Sequence, residues 1–301
     1  MTKPRDKAHS QSIETDYMDN ILFGLPMWFK PDWRGRLLTD GQVATGALAE
    51  YAQIFESIEG NTTLYGLPSD EAAITWHESV PEHFRFCFKL PKSISHAQQL
   101  QPAWQQHGTQ WLQFVALLQA KMGVSMLQFP ASFGPDRLSE LWFLLDQLQH
   151  HHTGALAVEM RHPVFFAKGR AEQELLAGLQ QRDVDRVMFD TRGLFHDQSG
   201  TAEVLEAQSK KPRLPLHPIS TGKTPIVRFI GHTDWQKNLE YLYQWQGKLA
   251  QWLKEGRQPY FFVHTVSNAN SPEFSRWIKS LWGIKDGCWP GESQPENASL
   301  F

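Results

Sequence analysis

The chain has few cysteines, little net charge and no long apolar run. Its 301 residues include two cysteines, Cys87 and Cys288, and carry a formal net charge of −3. Two cysteines far apart in sequence do not make a disulfide framework and are typical of a reducing compartment. A nearly neutral chain also lacks the basic charge of a general nucleic-acid-binding protein. We therefore expect a cytoplasmic protein that is not a general binder of DNA or RNA.

Segments for export or membrane insertion are not apparent either. The first twenty residues mix charged and polar types and contain no apolar segment of the signal-peptide kind. No stretch approaches the roughly 18 apolar residues of a membrane-spanning helix. We expect no membrane partner, and the oligomeric state stays open.

Phosphate-binding motifs of the common nucleotide-binding folds are missing. The end of the first predicted strand and the residues after it read Gly24-Leu25-Pro26-Met27-Trp28, which lacks the glycine-rich fingerprint of a dinucleotide-binding fold. The Walker A pattern does not occur. These absences argue against an open, doubly wound sheet.

Short apolar segments alternate with amphipathic segments along the chain. Helical periodicity follows the strands, as in Leu48, Tyr51 and Phe55. Such alternation predicts a parallel sheet, and eight evenly spaced units favour a single (β/α)8 TIM-like barrel. The predicted strands are Ile21–Pro26, Ser57–Tyr65, Arg85–Pro91, Val124–Pro130, Ala155–Arg161, Arg186–Thr191, Pro225–Gly231 and Pro259–Val266.

The boundaries of this barrel follow from the loss of periodicity at both ends. We assign residues 20–283 to the barrel, 1–19 to a polar N-terminal tail and 284–301 to a C-terminal tail. The stretch Ser209–Thr224 is rich in proline and basic residues, and we predict an irregular connection on the face opposite the barrel mouth.

Polar side chains occur toward the carboxyl ends of the predicted strands, where the active sites of this fold lie. Side-chain alternation assigns Glu59 and Asn61 to one face of their strand, and Arg228 and His232 to one face of theirs. Burial of charged groups is costly unless they are paired or hydrogen-bonded. This repeated placement therefore predicts a polar site at the mouth.

Several short motifs occur in a fixed order between residues 21 and 283. They include Gly24 with Trp28, Trp33-Arg34-Gly35, Glu59-Gly60-Asn61-Thr62-Thr63-Leu64-Tyr65, Gln128-Phe129-Pro130, Ala157-Val158-Glu159-Met160-Arg161-His162, Asp190, Arg228-Phe229-Ile230-Gly231 and His264. In this order they resemble the YecE-like family of uncharacterised proteins. The resemblance implies a TIM-like barrel and no established activity or cofactor. The chain departs from the family pattern at Gly60 and His264.

Candidate catalytic residues are taken from the polar strand ends. Their acids would perform acid–base chemistry or hold a divalent metal together with His232 or His264. Alternatively, these acids form ion pairs with the basic residues of the same mouth. No closely spaced ligand pair such as HExxH decides between the two, so a metal cofactor stays undecided. The predicted catalytic residues are Glu59, Asn61, Lys89, Glu159 and Asp190.

Candidate substrate-binding residues combine basic, amide and aromatic side chains. Arginine offers two parallel donors to a phosphate or carboxylate, and flat aromatic rings stack on sugars or bases. The predicted substrate-binding residues are Trp28, Tyr65, Gln128, Arg161, Arg228, His232, His264 and Asn268.

These residue types predict an enzyme that acts on a small anionic, nucleotide-like or sugar-phosphate molecule at the mouth. Hydrolysis of a phosphoester is the most concrete version, and a metal-free reaction of sugars that uses two carboxylates is the second. The alternative is a non-catalytic protein that binds or senses a small ligand in the same pocket, because fold alone does not decide between them.

Overall fold

The structure is a computed structural model that describes residues 17–151, 154–290 and 292. Most of the two predicted tails therefore lies outside the described residues. All strands pair in parallel within one sheet. The strands are β1 (Leu22–Leu25), β2 (Ser57–Gly60), β3 (Arg85–Lys89), β4 (Met122–Gln128), β5 (Ala155–Glu159), β6 (Asp185–Arg186), β7 (Met188–Asp190), β8 (Ile226–Ile230) and β9 (Tyr260–His264).

The sheet is nearly closed. The predicted sixth strand is split into two segments, of which β6 pairs with β5 and β7 pairs with β8. The order of the strands is β6-β5-β4-β3-β2-β1-β9-β8-β7. The segments β6 and β7 together make up the predicted sixth strand, and only Val187 separates them. The Val187 N–H still donates to the Val158 carbonyl at 2.9 Å. The predicted TIM-like barrel is confirmed, with its sixth strand interrupted.

Helices follow the strands and begin and end where local chemistry favours it. Ser69 caps one helix by accepting a hydrogen bond from the Ala72 N–H, and Gly283 ends another with a φ of +68°. In the described part of the chain no helix is long and apolar enough to cross a membrane. The helices are α1 (Ala47–Tyr51), α2 (Asp70–Ser79), α3 (Lys92–Ser95), α4 (Leu100–Leu118), α5 (Leu138–His151), α6 (Arg170–Gln181), α7 (Arg192–His196), α8 (Ala202–Lys210), α9 (Leu239–Lys254) and α10 (Ser271–Trp282).

Side chains alternate between the inside and the outside of the barrel. On β3, Phe86 and Phe88 face outward. The Phe88 ring packs against Phe114 of α4, with the ring centroids 5.2 Å apart. Cys87 faces inward, in a small apolar cluster that fills the interior. This interior cluster consists of Cys87, Val124, Met126, Ala157, Val187, Ile226, Tyr260 and Phe262. The polar residues nearer the strand ends therefore lie above this apolar interior cluster.

All eight predicted strands end earlier than predicted, and for two of them this changes where a polar residue lies. β2 ends at Gly60, and Asn61 adopts a helical backbone (φ −96°, ψ −12°) before a short 3-10 turn. β8 ends at Ile230, so His232 belongs to the following loop. The prediction that Asn61 continues the strand face of Glu59 is therefore wrong, as is the equivalent prediction for His232, because alternation applies only within a strand.

The connection after α8 runs from one end of the barrel to the other. Near its start, the Pro212 carbonyl accepts a hydrogen bond from the Thr191 hydroxyl at 3.4 Å. Near its end, Ser220 donates to Asp185 at the beginning of β6, at 2.7 Å. The predicted irregular connection is thus only partly a bottom-face element, because Lys211, the first residue after α8, lies at the mouth.

Candidate functional site

A buried arginine joins two glutamates inside the barrel. Arg228 donates from Nε to Glu59 Oε2 and from Nη2 to Glu59 Oε1, both at 2.8 Å. Its Nη1 donates to Glu159 Oε2 at 2.6 Å. In register, Glu59 lies beside Cys87 and Arg228 lies beside Phe262. Because these neighbours belong to the interior cluster, the ion pairs lie inside the barrel.

Lysine, glutamine and histidine side chains complete the contacts of Glu59. Lys89 Nζ lies 3.2 Å from Glu59 Oε1 and donates to Gln128 Oε1 at 3.0 Å. His264 Nε2 lies 2.9 Å from Glu59 Oε2. All these side chains are buried. Glu59 therefore has three cationic or hydrogen-bonding partners from three other strands.

The outer edge of the network is basic. Arg161 donates from Nε to Glu159 Oε1 at 3.0 Å, and its side chain is 27% exposed. Lys211 is half-buried and close enough to Arg228, Arg161 and both glutamates for their charges to affect its pKa. Hydrogen bonds and ion pairs link the mouth cluster, which we define as Glu59, Lys89, Gln128, Glu159, Arg161, Arg228 and His264.

The neighbouring cations keep both carboxylates ionised. Burial alone would raise the pKa of Glu59, but the charges of Arg228 and Lys89 outweigh it and hold this pKa well below its usual range. The pKa of Glu159 is lowered to about 2 because Arg228 and Arg161 outweigh its burial. Neither acid is poised to donate a proton near neutral pH.

Burial lowers the pKa of the two basic groups His264 and Lys89. It lowers the pKa of His264 to about 4, against the opposing effect of Glu59. Burial, together with the charge of Arg228, lowers the pKa of Lys89 to about 8. At neutral pH, His264 is therefore uncharged, and it donates its Nε2 proton to the ionised Glu59, which only accepts. The second ring nitrogen, Nδ1, then carries a lone pair.

The donor set gives little support to the metal site that the sequence left undecided. Within residues 17–151, 154–290 and 292, no three His, Cys, Asp or Glu side chains are grouped so that they could hold a metal ion. The oxygens of Glu59 and Glu159 are occupied by arginine and lysine donors. The alternative in which these acids form ion pairs with the basic residues is the arrangement that the structure has.

Asp190 does not join the mouth cluster. It lies beside Phe229 in register, on the outer face of the barrel. Its Oδ2 accepts hydrogen bonds from Trp245 Nε1 of α9 at 2.8 Å and from Arg192 Nη2 at 2.9 Å. The predicted placement of Asp190 at the mouth is wrong because the inward residue of β7 is its neighbour Phe189, over which Arg228 stacks at 4.3 Å.

His232 and Asn268 stabilise loops rather than the mouth cluster. His232 Nδ1 accepts a hydrogen bond from the Asp234 N–H at 2.9 Å and lies 3.3 Å from Asp197. Asn268 has a left-handed backbone (φ +57°), and its carbonyl accepts a hydrogen bond from Trp33 Nε1 at 3.0 Å. Both follow strand ends as predicted, but neither contacts a residue of the mouth cluster in the described hydrogen bonds.

An apolar cleft lies on the rim beside β1 and β2. It has a volume of about 380 Å³, and Trp28, Asn61 and Tyr65 contribute to its walls. Asn61 Nδ2 donates to the Pro26 carbonyl at 3.0 Å, which ties the two walls together. Trp28 packs edge-on against Trp76, whereas Tyr65 is exposed. Three of the predicted site residues thus form this rim cleft and not the mouth cluster.

Similarity to known sequences agrees with this architecture. Residues 22–299 match the family model described as "Protein of unknown function DUF72". The chain is 41% identical over 285 residues to UPF0759 protein YecE of Escherichia coli K12, covering 93% of this chain and 100% of that protein. It is 40% identical, with the same coverage, to the YecE protein of E. coli O157:H7.

The chain belongs to the DUF72 family. The resemblance to YecE-like proteins is therefore confirmed, and this resemblance carries no substrate or reaction with it.

Solved structures of DUF72 proteins show the same fold at low sequence identity. One from Enterococcus faecalis V583 has a TM-score of 0.64 and 17% identity, covering 92% of this chain and 100% of that chain. One from Thermotoga maritima MSB8 has a TM-score of 0.63 and 18% identity, covering 87% of this chain and 99% of that chain. At such identities the likeness concerns the fold alone.

Two further features of this DUF72 barrel were not predicted from its sequence. Lys211 reaches the mouth because the connection after α8 begins there, and the run Lys210-Lys211 contains no signal for which lysine does so. Gly60 is required by Phe88, since a Cβ at Gly60 would lie 2.0 Å from Phe88 Cε1.

Proposed function

We propose that the mouth cluster binds a small anionic molecule and that the protein is an enzyme acting on it. The support is an excess of basic groups over acidic ones at one buried place. Two glutamates, Glu59 and Glu159, face four basic side chains, Lys89, Arg161, Lys211 and Arg228.

Lys211 is the observation that carries the proposal. It is half-buried, near Arg228 and Arg161, and burial together with the charge of Arg228 lowers its pKa. Among the hydrogen bonds and ion pairs of the described residues, its side chain has no partner. The charges of Glu59 and Glu159 only partly offset the repulsion that Lys211 experiences from Arg228 and Arg161, so a bound anion would stabilise it. A phosphate or carboxylate that contacts Lys211 and Arg161 would provide this stabilisation.

The chemistry of the acids narrows the reaction class. In a sugar-cleaving reaction with two carboxylates, one acid must hold a proton, whereas Glu59 and Glu159 are both held ionised. A metal-assisted phosphoester hydrolysis requires free carboxylate oxygens, and these oxygens are occupied by arginine and lysine. The groups that remain for chemistry are uncharged His264 and Lys89. They suit proton transfer or attack at an anionic substrate.

Anion binding is tested by the melting temperature in sulfate, phosphate or malonate, compared with chloride at equal ionic strength. We expect stabilisation of the wild type that grows with anion concentration. Lys211→Gln should weaken this effect, whereas Lys210→Gln should not, because Lys210 pairs with Glu206 on the surface. Equal melting in all salts would refute the proposed anion site.

The enzymatic part of the proposal requires a separate measurement. Purified protein is incubated with a panel of sugar phosphates, short keto acids and phosphoesters, and turnover is followed by mass spectrometry. We expect turnover of at least one anionic compound, with loss in Arg161→Gln. The matched control is Arg182→Gln, which removes an exposed ion pair with Asp146. Binding of panel members without any turnover would instead support a sensing or carrier protein.

A further inference from the structure

We infer that Lys89 is a nucleophilic amine that forms an imine with the carbonyl group of a small anionic aldehyde or ketone. This inference rests on the proposed anion site and adds the class of substrate and a covalent step. It follows from the position of Lys89, from the charge state of its carboxylate partner Glu59 and from the basic groups around it.

Lys89 lies at the point of the barrel where strand-end residues meet a ligand. It is the last residue of β3, and in register it lies beside Met126 of the interior cluster. Its side chain is buried, and its Nζ contacts Glu59 Oε1 at 3.2 Å and Gln128 Oε1 at 3.0 Å. The amine is therefore directed into the mouth.

The ion pair of Lys89 is weaker than a single contact distance suggests. Glu59 accepts two hydrogen bonds from Arg228 at 2.8 Å, so Lys89, at 3.2 Å, shares this carboxylate with a closer cation. The second partner, Gln128, is neutral and stabilises the ammonium only as a hydrogen-bond acceptor. A buried lysine close to another cationic group, as Lys89 is to Arg228, resembles the lysines that proteins use for Schiff bases.

The other buried lysines are bound differently. Lys121 Nζ donates to the carbonyls of His77 and Val80, both at 2.8 Å. Lys279 Nζ donates to the Ile54 carbonyl at 3.1 Å and pairs with Glu56 at 3.2 Å. Backbone carbonyls hold these ammonium groups in place. Among these three buried lysines, only Lys89 has no backbone carbonyl as a partner in the described hydrogen bonds.

The protonation state supports a nucleophilic role. The charged groups that act on Lys89 are Glu59 on β2, Glu159 on β5 and Arg228 on β8. Burial and Arg228 outweigh the two acids and lower the pKa of Lys89 to about 8. About one side chain in ten is then a free amine at pH 7, against about three in ten thousand for a lysine of ordinary pKa.

The step is a condensation with loss of water. The lone pair of the neutral Lys89 amine attacks the carbonyl carbon, a C–N bond forms, and the carbonyl electron pair moves to oxygen, which takes up a proton. The amine nitrogen then releases a proton, and the hydroxyl group, after a second protonation, leaves as water. The product is a protonated imine, so the sum consumes one proton and releases one water, without an oxidant or reductant.

Neighbouring groups are suited to these transfers. His264 can relay a proton, because its Nδ1 lone pair takes up the proton that the amine nitrogen releases and, with a pKa of about 4, passes it to the leaving hydroxyl, while Glu59 holds the ring through Nε2 at 2.9 Å. Arg161 and Lys211 at the outer edge would hold the phosphate or carboxylate of the same substrate. Because Lys89 and His264 are buried, we take the substrate to be a molecule of a few carbons, such as a short keto acid or a sugar phosphate.

Reductive trapping tests this inference. The protein is incubated with glyoxylate and sodium cyanoborohydride, and the alkylated lysines are identified by peptide mass spectrometry. We expect Lys89 to be the major site, ahead of the exposed Lys92 in the next helix, and we expect inorganic phosphate to suppress the adduct at Lys89 but not at Lys92. The variant Lys89→Gln should lose this adduct, while Lys92→Gln should keep it.

A second measurement uses the wild type and so does not depend on the folding of a variant. Trace labelling with acetic anhydride reports the free-amine fraction of each lysine as a function of pH. The labelling rate of Lys89 should fall tenfold per pH unit below about 8 and level off above it. A rate that still rises through pH 10 would overturn the inference.

The outcomes separate this inference from the proposed function. If adducts form only in proportion to exposure, while sulfate or phosphate still raises the melting temperature, Lys89 is not the nucleophile and the anion site survives. If neither the adduct nor anion stabilisation is observed, both proposals fail. An adduct at Lys89 that phosphate suppresses supports both.

Discussion

Arg228 and Glu59 form a two-point ion pair across the interior of the barrel. Two nitrogens of the guanidinium, Nε and Nη2, donate to the two oxygens of one carboxylate at 2.8 Å each. A flat fork matches a carboxylate in this way, and lysine cannot reproduce it. Because Arg228 also reaches Glu159 at 2.6 Å, one side chain sets the charge state of both buried acids.

Replacement of Arg228 by methionine should destabilise the protein strongly. The change leaves two buried carboxylates without their main cation, and loss of one partner of a buried pair typically costs about 3–5 kcal/mol. The free energy of unfolding in urea measures the effect. Lys210→Met, which removes an exposed ion pair with Glu206, should cost less than about 1 kcal/mol. Similar losses in both variants would contradict the role assigned to Arg228.

Stability should fall between pH 6.5 and 4 because of His264. Its folded pKa is about 4, below the ordinary value of 6.5. Between these values the unfolded chain binds a proton that the folded protein does not, so stability is lost as the pH falls through this window. A shift of this size corresponds to about 3 kcal/mol. The groups facing His264 are Glu59, Arg228 and Lys211.

Urea unfolding at several pH values measures this loss, and a variant isolates it from other titrating groups. His264→Gln keeps a hydrogen-bond donor for Glu59 but does not titrate, so its stability should change less between pH 6.5 and 4. The exposed His83→Gln should behave as the wild type. Parallel pH profiles for the wild type and His264→Gln would show that His264 is not held neutral.

Gly60→Ala should destabilise the barrel by overpacking. The added methyl group would lie 2.0 Å from Phe88 Cε1. The Phe88 ring has no free direction to move, because it packs between Phe86 at 5.5 Å and Trp76 at 5.6 Å. Such overpacking typically costs about 1–3 kcal/mol.

The effect is measured as a loss of free energy of unfolding, with Gly66→Ala as the matched control. No atom lies within 4 Å of a Cβ at Gly66. A smaller side chain at Phe88, as in Phe88→Leu, should reduce the effect of Gly60→Ala. If Gly60→Ala is as stable as Gly66→Ala, the close approach does not require glycine.

Asp190→Asn should affect stability and not anion binding. Asp190 accepts hydrogen bonds from Trp245 and Arg192 on the outside of the barrel. Loss of its charge weakens both bonds and should cost about 1–3 kcal/mol, whereas the exposed Asp146→Asn should cost less. The stabilisation by sulfate should match that of the wild type. A folded Asp190→Asn protein that sulfate no longer stabilises would show that Asp190 contributes to anion binding.

The sequence by itself determined the face of several residues and, through them, much of the mouth cluster. Side chains alternate along a strand because of backbone geometry, which no distant residue needs to supply. Thus Lys89 faces the interior with Cys87, and Phe88 faces the helices, as alternation predicts. The convergence of Glu59, Lys89, Glu159, Arg228 and His264 follows from the same local rule together with the parallel order of the strands.

Only the tertiary structure decided where strands end and which partner each polar group has. Alternation places Met188 and Asp190 of β7 on one face without saying which, and the contact with Trp245 on α9 makes it the outer face. Arg228 and Glu59 are 169 residues apart in sequence. Local geometry therefore determines on which side of a strand a residue lies, whereas its charge state and its role depend on partners that only the closed barrel brings close.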